Sequence, residues 1–274
     1  MLKLMYITND PKVARIAVDS GVDRIFIDME VLGKAQRQGH IDSVKSFHTY
    51  DDIRAVRAAI GTDAELLVRI NPIHEGTKEE VDRAIGSGAD ILMLPMWKSA
   101  AEIRTFVNLV GGRVKTMALL ETKEADEALA EVLTVPGLDE IHIGLNDLHL
   151  SYGRQFLFEL LADCTVDRIC GLLRKDGRPY GFGGVGRPGS GMLPAEYILG
   201  EHVRLGSSIV ILSRSFCNTA LIRDYAEIAA IFREGVAEVR RWEEEFTRRT
   251  DEDLLENHRQ VGLCVERILE ARRN

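Results

Sequence analysis

The chain has 274 residues, of which 45% are hydrophobic and 28% charged, and this composition is typical of a soluble globular protein with a sizeable core. Its formal net charge of −8 gives no basic surface for nucleic acid. No apolar run approaches the roughly 18 residues that a membrane span requires. Composition therefore argues against nucleic-acid-binding and membrane-spanning proteins.

Strand and helix patterns alternate from the first residues onward. Strand candidates are short apolar runs, and they lie near residues 4, 25, 66, 91, 117, 141, 181 and 210. Each is followed by a segment with apolar residues at helical spacing. These predicted helices cover residues 11–21, 51–60, 77–88, 99–112, 123–133, 157–177, 195–206, 222–249 and 253–273. A long polar connection over residues 31–48 exceeds the usual loop length, which points to a functional loop.

Eight β-α units in about 250 residues match a (β/α)8 TIM barrel in number and length. The alternative is a doubly wound open sheet, but that fold usually has fewer strands and a glycine-rich first turn. Here the first turn is Thr8–Pro11. A G-x-G-x-x-G sequence does occur at residues 181–186, but no helix opens directly after it, so we do not expect a dinucleotide site. The sequence predicts an α/β barrel as the fold class.

We expect the barrel to form a catalytic domain over residues 1–250, with a C-terminal helical extension over residues 251–274. The last predicted helix carries an apolar stripe that must pack on its own barrel or on a neighbouring subunit. The stripe consists of Leu254, Leu255, Val261, Val265 and Leu269.

The four cysteines show no C-x-x-C spacing, so we expect free thiols rather than a disulfide framework or a zinc site. The first ten residues contain one lysine and only a short apolar run, which is too little for a signal peptide. We therefore expect a cytoplasmic protein.

Two acidic residues, Glu121 and Asp147, are predicted to end neighbouring parallel strands, because a single helix separates the strands. Both carboxylates then lie side by side at the edge where parallel sheets and barrels bind ligands. Two adjacent half-buried carboxylates repel each other unless a proton or a cation lies between them, and Mg²⁺ typically takes one or two protein carboxylates. The alternative is that each acid caps a helix.

Arg69 lies in an otherwise apolar strand, and a buried arginine needs an anionic partner. Asp28 or Glu30, one strand away, could supply it. The alternatives are an ion pair that closes the barrel rim and a role in binding anions or enolates. His40 and His48 follow in the long loop and are candidate general bases.

Five segments resemble, in order, the motifs of the HpcH/HpaI aldolase and citrate lyase β-subunit family, whose members are barrels related to the phosphoenolpyruvate/pyruvate-binding enzymes. The segments are RIFIDME, LLVRIN, GADILMLPMWKSAAEI, LLET and PGLDEIHIGLNDLHLSYG. The resemblance covers residues 21–153. It implies a homo-oligomer, a trimer or hexamer, that makes or breaks carbon–carbon bonds next to a 2-oxo acid or an acyl-CoA with a divalent metal.

Carried onto this chain, the resemblance assigns Glu121 and Asp147 as ligands of Mg²⁺, or alternatively Mn²⁺. Arg69 corresponds to the arginine that stabilises the enolate oxygen. The turn that holds the substrate carboxylate through its backbone N–H groups corresponds to Gly144, Leu145 and Asn146, followed by Asp147.

The chain departs from the family pattern at two places. The aldolases have a catalytic histidine directly after the residue that corresponds to Glu30, where this chain has Val31, so Glu30 itself, His40 or His48 would have to act in its place. The lysine-aromatic-isoleucine-His-Pro stretch that is typical of the acyl-CoA lyases does not occur. We expect a metal-dependent aldolase acting on a pyruvate-like 2-oxo acid and an aldehyde. A citryl- or malyl-type acyl-CoA lyase and a non-catalytic metabolite-binding barrel are the alternatives.

Overall fold

A computed structural model describes residues 1–33 and 48–273 of the protein. Eight parallel strands, each hydrogen-bonded to the next, close into a barrel in the order β1 to β8. The predicted (β/α)8 barrel is therefore confirmed, and every strand forms where the sequence predicts one. The strands are β1 (Lys3–Ile7), β2 (Arg24–Asp28), β3 (Glu65–Arg69), β4 (Ile91–Leu94), β5 (Lys115–Leu120), β6 (Glu140–Ile143), β7 (Tyr180–Val185) and β8 (Ile209–Leu212).

Helices follow the strands along the chain, and several begin at the caps that the sequence offers. Asp10, Thr49, Ser99 and Thr122 each accept backbone N–H groups of the helix that follows. The helices of the described residues are α1 (Pro11–Asp19), α2 (Tyr50–Ile60), α3 (Thr77–Gly86), α4 (Ala100–Val110), α5 (Lys123–Val132), α6 (Leu145–Ser151), α7 (Glu159–Ala162), α8 (Thr165–Asp176), α9 (Ala195–Leu205), α10 (Tyr225–Thr247) and α11 (Asp251–Arg273). Within this part of the chain, no helix is long and apolar enough to cross a membrane.

The single helix predicted over residues 157–177 is wrong. It is two helices, α7 and α8, and the chain breaks at Cys164, whose φ of 63° is left-handed and cannot continue a right-handed helix. The apolar residues on both sides still point to the core, because Leu160, Leu161 and Val166 are fully buried. Periodicity detects that buried face but not the turn within it.

Two layers of apolar side chains hold the barrel together. The inner layer fills the barrel with side chains from the strands, including Met5, Phe26, Leu67, Met93 and Met117. The larger outer layer lies between the strands and the surrounding helices. Such a barrel interior is a packed core rather than a pore, so ligands must bind at its ends.

Charged residues close the N-terminal end of the barrel. Arg24 is completely buried and donates two hydrogen bonds, of 2.5 and 2.7 Å, to Glu140 across the barrel. Its Nε also donates to Glu65 at 2.6 Å, and Lys115 reaches the same carboxylate at 2.6 Å. A buried charge is tolerated when its partners satisfy its donors in this way.

The C-terminal helix α11 packs on the helices of its own chain, mainly α9 and α7. Leu254, Val261 and Val265 are buried there, whereas Leu255, which the sequence places on the same stripe, is 54% exposed. Gly200 permits the close approach of α11, since a Cβ at that position would lie 2.6 Å from Asn257 Nδ2. Contact of α11 with a second subunit stays a prediction.

Candidate active site

A cavity of about 460 Å³ opens at the C-terminal ends of the strands. Residues at or near the C-terminal ends of all strands except β4 line it, from Thr8 after β1 to Ser213 after β8. Of the candidate site residues, Arg69, Glu121, Asp147, His48, Gly144, Leu145 and Asn146 all line it. Sequence positions more than a hundred residues apart therefore meet at one site, as expected for the C-terminal face of a (β/α)8 barrel.

Glu121 follows β5 directly, and its side chain is 3% exposed. One carboxylate oxygen accepts the Met96 N–H at 2.9 Å. Burial is the main cause that raises the pKa of Glu121; Arg69 lowers this pKa, and Asp147 and Glu30 raise it, with a net value of about 8. A cation beside such a buried carboxylate would stabilise its ionised form.

Asp147 does not end a strand, contrary to the sequence-based expectation. Strand β6 stops at Ile143, and Asp147 lies in the first turn of the short helix α6. The chain turns into the helix at Gly144, where a Cβ would lie 3.0 Å from Glu121 Cβ and 3.2 Å from its Oε2. The absence of a side chain at Gly144 therefore lets the Glu121 carboxylate approach the turn that carries Asp147.

Arg69 ends β3 and pairs with the acids predicted from the sequence. Its Nε and Nη2 donate to the two oxygens of Asp28 at 2.9 and 2.8 Å, and Nη1 lies 3.4 Å from Glu30. Burial lowers the arginine pKa, but the charges of Asp28, Glu30 and Glu121 outweigh it, and the net direction is upward. A guanidinium has five N–H donors, so this ion pair leaves donors for a ligand in the cavity.

The candidate bases are placed differently from one another. His48 lines the cavity, and its Nδ1 accepts the Asp28 N–H at 3.0 Å, which places the ring proton on Nε2. Glu30 is 1% exposed. It forms an ion pair with Arg69 and does not line the cavity. His40 lies outside the described residues.

Strand β7 is rich in glycine, and neighbouring groups approach its backbone too closely for a side chain at two of these positions. A Cβ at Gly181 would lie 2.0 Å from the Ile209 carbonyl oxygen, and one at Gly183 would lie 2.8 Å from Leu145 Cδ1. His142 is 1% exposed, lines the cavity and donates through Nε2 to the Gly183 carbonyl at 3.1 Å. Its Nδ1 is then an acceptor, and it has no partner among the described residues.

Sequence reasoning missed several residues of the cavity. Tyr6 and Asn9 line it. Met96, whose backbone φ is 54°, donates its N–H to Glu121. Alternation on the first strand does not indicate Tyr6, because Met5 and Ile7 are the residues of that strand that pack inside the barrel, whereas Tyr6 packs with the outer layer. The left-handed backbone at Met96 has no sequence signal, because methionine rarely adopts it.

The model of one protein family, described as HpcH/HpaI aldolase/citrate lyase, matches residues 3–156, just over half of the chain. The chain belongs to the HpcH/HpaI aldolase/citrate lyase family. The resemblance seen in the sequence is thereby confirmed, and the chain is an enzyme of the aldolase and lyase type. This family generally depends on a divalent metal ion. Comparison with curated protein sequences found no match.

Solved structures of HpcH/HpaI proteins share the fold at low sequence identity. An HpcH/HpaI aldolase from Desulfitobacterium hafniense DCB-2 is 18% identical, with a TM-score of 0.61 over 87% of this chain and 93% of that one. An HpcH/HpaI aldolase/citrate lyase family protein from Burkholderia cenocepacia J2315 is 16% identical, with a TM-score of 0.63 over 87% and 94%. The citrate synthase SbnG is 15% identical, with a TM-score of 0.61 over 85% and 94%.

Proposed function

We propose that the protein is a divalent-metal-dependent carbon–carbon lyase that performs aldol or retro-aldol chemistry on a pyruvate-like 2-oxo acid and an aldehyde. The observation that carries the proposal is the adjacency of two acids, Glu121 and Asp147, to the guanidinium of Arg69 in one cavity. Family membership supports the same reaction class.

Glu121 and Asp147 would hold the metal ion, with Mg²⁺ as the first candidate and Mn²⁺ as the second. Their oxygen donors suit hard divalent cations, and a cation would stabilise the ionised form of Glu121, which burial and the charge of Asp147 disfavour. When bound, such an ion supplies Lewis-acid stabilisation of the charge that develops on the 2-oxo acid.

Arg69 would donate to the enolate oxygen as negative charge develops there. Asp28 and Glu30 hold the guanidinium in one orientation, so that it need not reorganise during the reaction. Donors fixed in this way are worth roughly 10²–10³ in rate. The N–H groups of Leu145 and Asn146, at the start of α6, would bind the substrate carboxylate, because first-turn N–H groups lack partners within the helix.

His48 lines the cavity, and its Nδ1 accepts the Asp28 N–H. His40, His48 and Glu30 are the candidates for the group that removes the aldol proton, and all three stay predictions.

The decisive experiment measures pyruvate release from 4-hydroxy-2-oxo acids with added Mg²⁺ or Mn²⁺. Glu121→Gln and Asp147→Asn should each abolish activity and metal binding, with an unchanged circular dichroism spectrum. Glu124→Gln is the matched control. Glu124 is an exposed acid near the start of α5, where it pairs with Lys98, and it does not line the cavity. Metal affinity that persists in both site variants would contradict the proposed metal site.

A citryl- or malyl-type acyl-CoA lyase is the second candidate, because the family includes citrate lyases and SbnG, a structural relative, is a citrate synthase. Turnover of acyl-CoA thioesters without turnover of free 2-oxo acids would decide for it. Binding of pyruvate and Mg²⁺ without turnover of either substrate class would instead favour a non-catalytic barrel.

A further inference from the structure

Three side chains of the kind that bind metals meet outside the central cavity. Cys164 and Asp167 lie at the start of α8, His258 lies on α11, and one ligand atom of each falls within 4.8 Å of the others. Cys164 Sγ is 3.8 Å from His258 Nε2. Tetrahedral Zn²⁺ with ordinary Zn–S and Zn–N bonds separates two such atoms by about 3.6 Å. The spacing therefore already approaches that of a metal site.

The histidine is oriented by a buried carboxylate. His258 Nδ1 lies 2.9 Å from Glu201 Oε2, and Glu201 is completely buried. Arg204 Nη2 is also near this nitrogen, at 3.1 Å, but its two protons already serve Glu201 at 2.6 Å and Asp167 at 2.9 Å. The proton on Nδ1 therefore belongs to the bond with Glu201, and Nε2 presents its lone pair towards Cys164. A carboxylate behind a histidine is the usual outer partner of a zinc-binding imidazole.

The charges of the cluster favour a divalent cation. With a neutral thiol and a neutral imidazole, Glu201, Asp167 and Arg204 together carry a net charge of −1. Binding of a divalent cation by the thiolate would bring the group to neutrality. Arg204 occupies one lone pair on each Asp167 oxygen, and a carboxylate oxygen has a second one for a metal. A metal ion binds the thiolate form, so binding to Cys164 releases the thiol proton.

We propose that Cys164, Asp167 and His258 bind a borderline-soft divalent cation of the Zn²⁺ class, with water as the fourth ligand. A sulfur and a nitrogen ligand select against the Mg²⁺ or Mn²⁺ proposed for the central cavity. The ion joins α11 to α8, and so it fastens the C-terminal helix to the barrel. Cysteine spacing could not indicate this site, because its histidine comes from a helix 94 residues away.

Titration of the purified protein with Co²⁺ tests the assignment, since a cobalt–thiolate bond gives a charge-transfer band in the near ultraviolet. We expect the band to saturate at one Co²⁺ per chain and to disappear when Zn²⁺ displaces Co²⁺. The melting temperature should be higher with Zn²⁺ than with Mg²⁺. Cys164→Ser and His258→Gln should abolish the band.

Two cysteine variants are matched controls. Cys264→Ser removes a thiol on α11, the helix that carries His258, and Cys217→Ser removes the thiol that lines the central cavity. Both should retain the band. No band in the wild-type protein, or a band that survives in Cys164→Ser, would reduce the contact to a thiol–imidazole hydrogen bond and overturn the proposal. Neither result depends on lyase activity, so failure here leaves the proposed function untouched.

Discussion

Arg69 combines a structural ion pair with a position on the cavity wall, and the two roles can be separated by experiment. We expect Arg69→Lys to lower kcat and kcat/KM together by roughly 10²-fold or more, because lysine lacks the forked donor that the enolate oxygen would use. The melting temperature should also fall, since the paired hydrogen bonds to Asp28 are lost. Steady-state kinetics well below the melting temperature, where the variant is folded, measure the effect on catalysis without the effect on stability.

Arg24→Lys is the matched control for this experiment. Arg24 is also a buried arginine with a two-point carboxylate partner, but it lies at the opposite end of the barrel. It should lose stability and keep kcat. Equal loss of kcat in the two variants would mean that Arg69 acts only through the architecture.

Gly144 lies against Glu121 and leaves space for its carboxylate. Its φ of −83° is accessible to any residue, so Gly144→Ala introduces no backbone strain. The added methyl group would press on Glu121, and we expect metal affinity to fall by roughly 10-fold or more, as it does when support of a ligand is removed. Isothermal titration with Mn²⁺ measures this loss. Gly171→Ala, in an open position on α8, should bind Mn²⁺ normally; similar affinity in both variants would count against Glu121 as a ligand.

Among the elements, α11 carries two neighbouring leucines with opposite surroundings. Leu254 is 9% exposed against the helices of its own chain, and Leu255 is 54% exposed. Leu254→Ala should lower the free energy of unfolding by about 2–5 kcal/mol, whereas Leu255→Ala should change it by less than about 0.5 kcal/mol in a monomer. Urea denaturation of both variants gives the comparison.

Leu255 also bears on assembly. If α11 packs on a second subunit through its exposed side, Leu255→Asp should lower the mass measured by light scattering. An unchanged mass together with a stable Leu255→Ala variant would place the subunit contact, if the protein is oligomeric, elsewhere on the surface.

Elements were predictable where a regular pattern continues for several residues. All eight strands and the long helices follow from apolar periodicity and caps such as Asp10 and Thr122. The break at Cys164 and the short helix α6 were not, because each depends on one or two backbone angles and only tertiary packing decides them. The same limit applies to the site. The positions of Glu121 and Arg69 follow from strand order, but the place of Asp147 on α6 and the contacts of Met96 and His142 do not.

Across the whole molecule, buried histidines couple stability to pH. Burial lowers the pKa of His142 to about 4, and burial together with the charge of His142 lowers that of His202 to about 3. Both are neutral when folded, while the unfolded chain takes up protons below its pKa of about 6.5. The contribution of these two histidines to stability is therefore complete above pH 6.5 and is lost as the pH drops towards 4.

Between pH 7 and pH 5, each histidine should account for a loss of about 2 kcal/mol in the free energy of unfolding. Urea denaturation of the wild type and of His202→Phe measures the contribution of His202 to this loss. The phenylalanine keeps a ring stacked against Phe182. The wild type should lose more stability than the variant over this interval. The raised pKa of Glu121 acts in the opposite direction but equally in both proteins, so identical losses would contradict the prediction.

The charged group at the N-terminal end of the barrel also bears on the order of folding. Arg24 and Glu140 are 116 residues apart, so we expect their contact to form late in folding, because it closes a long loop at a cost in chain entropy. An interaction that forms after the transition state affects the rate of unfolding far more than the rate of folding. We therefore expect loss of the Arg24–Glu140 ion pair to raise the rate of unfolding of the barrel much more than it lowers the rate of folding.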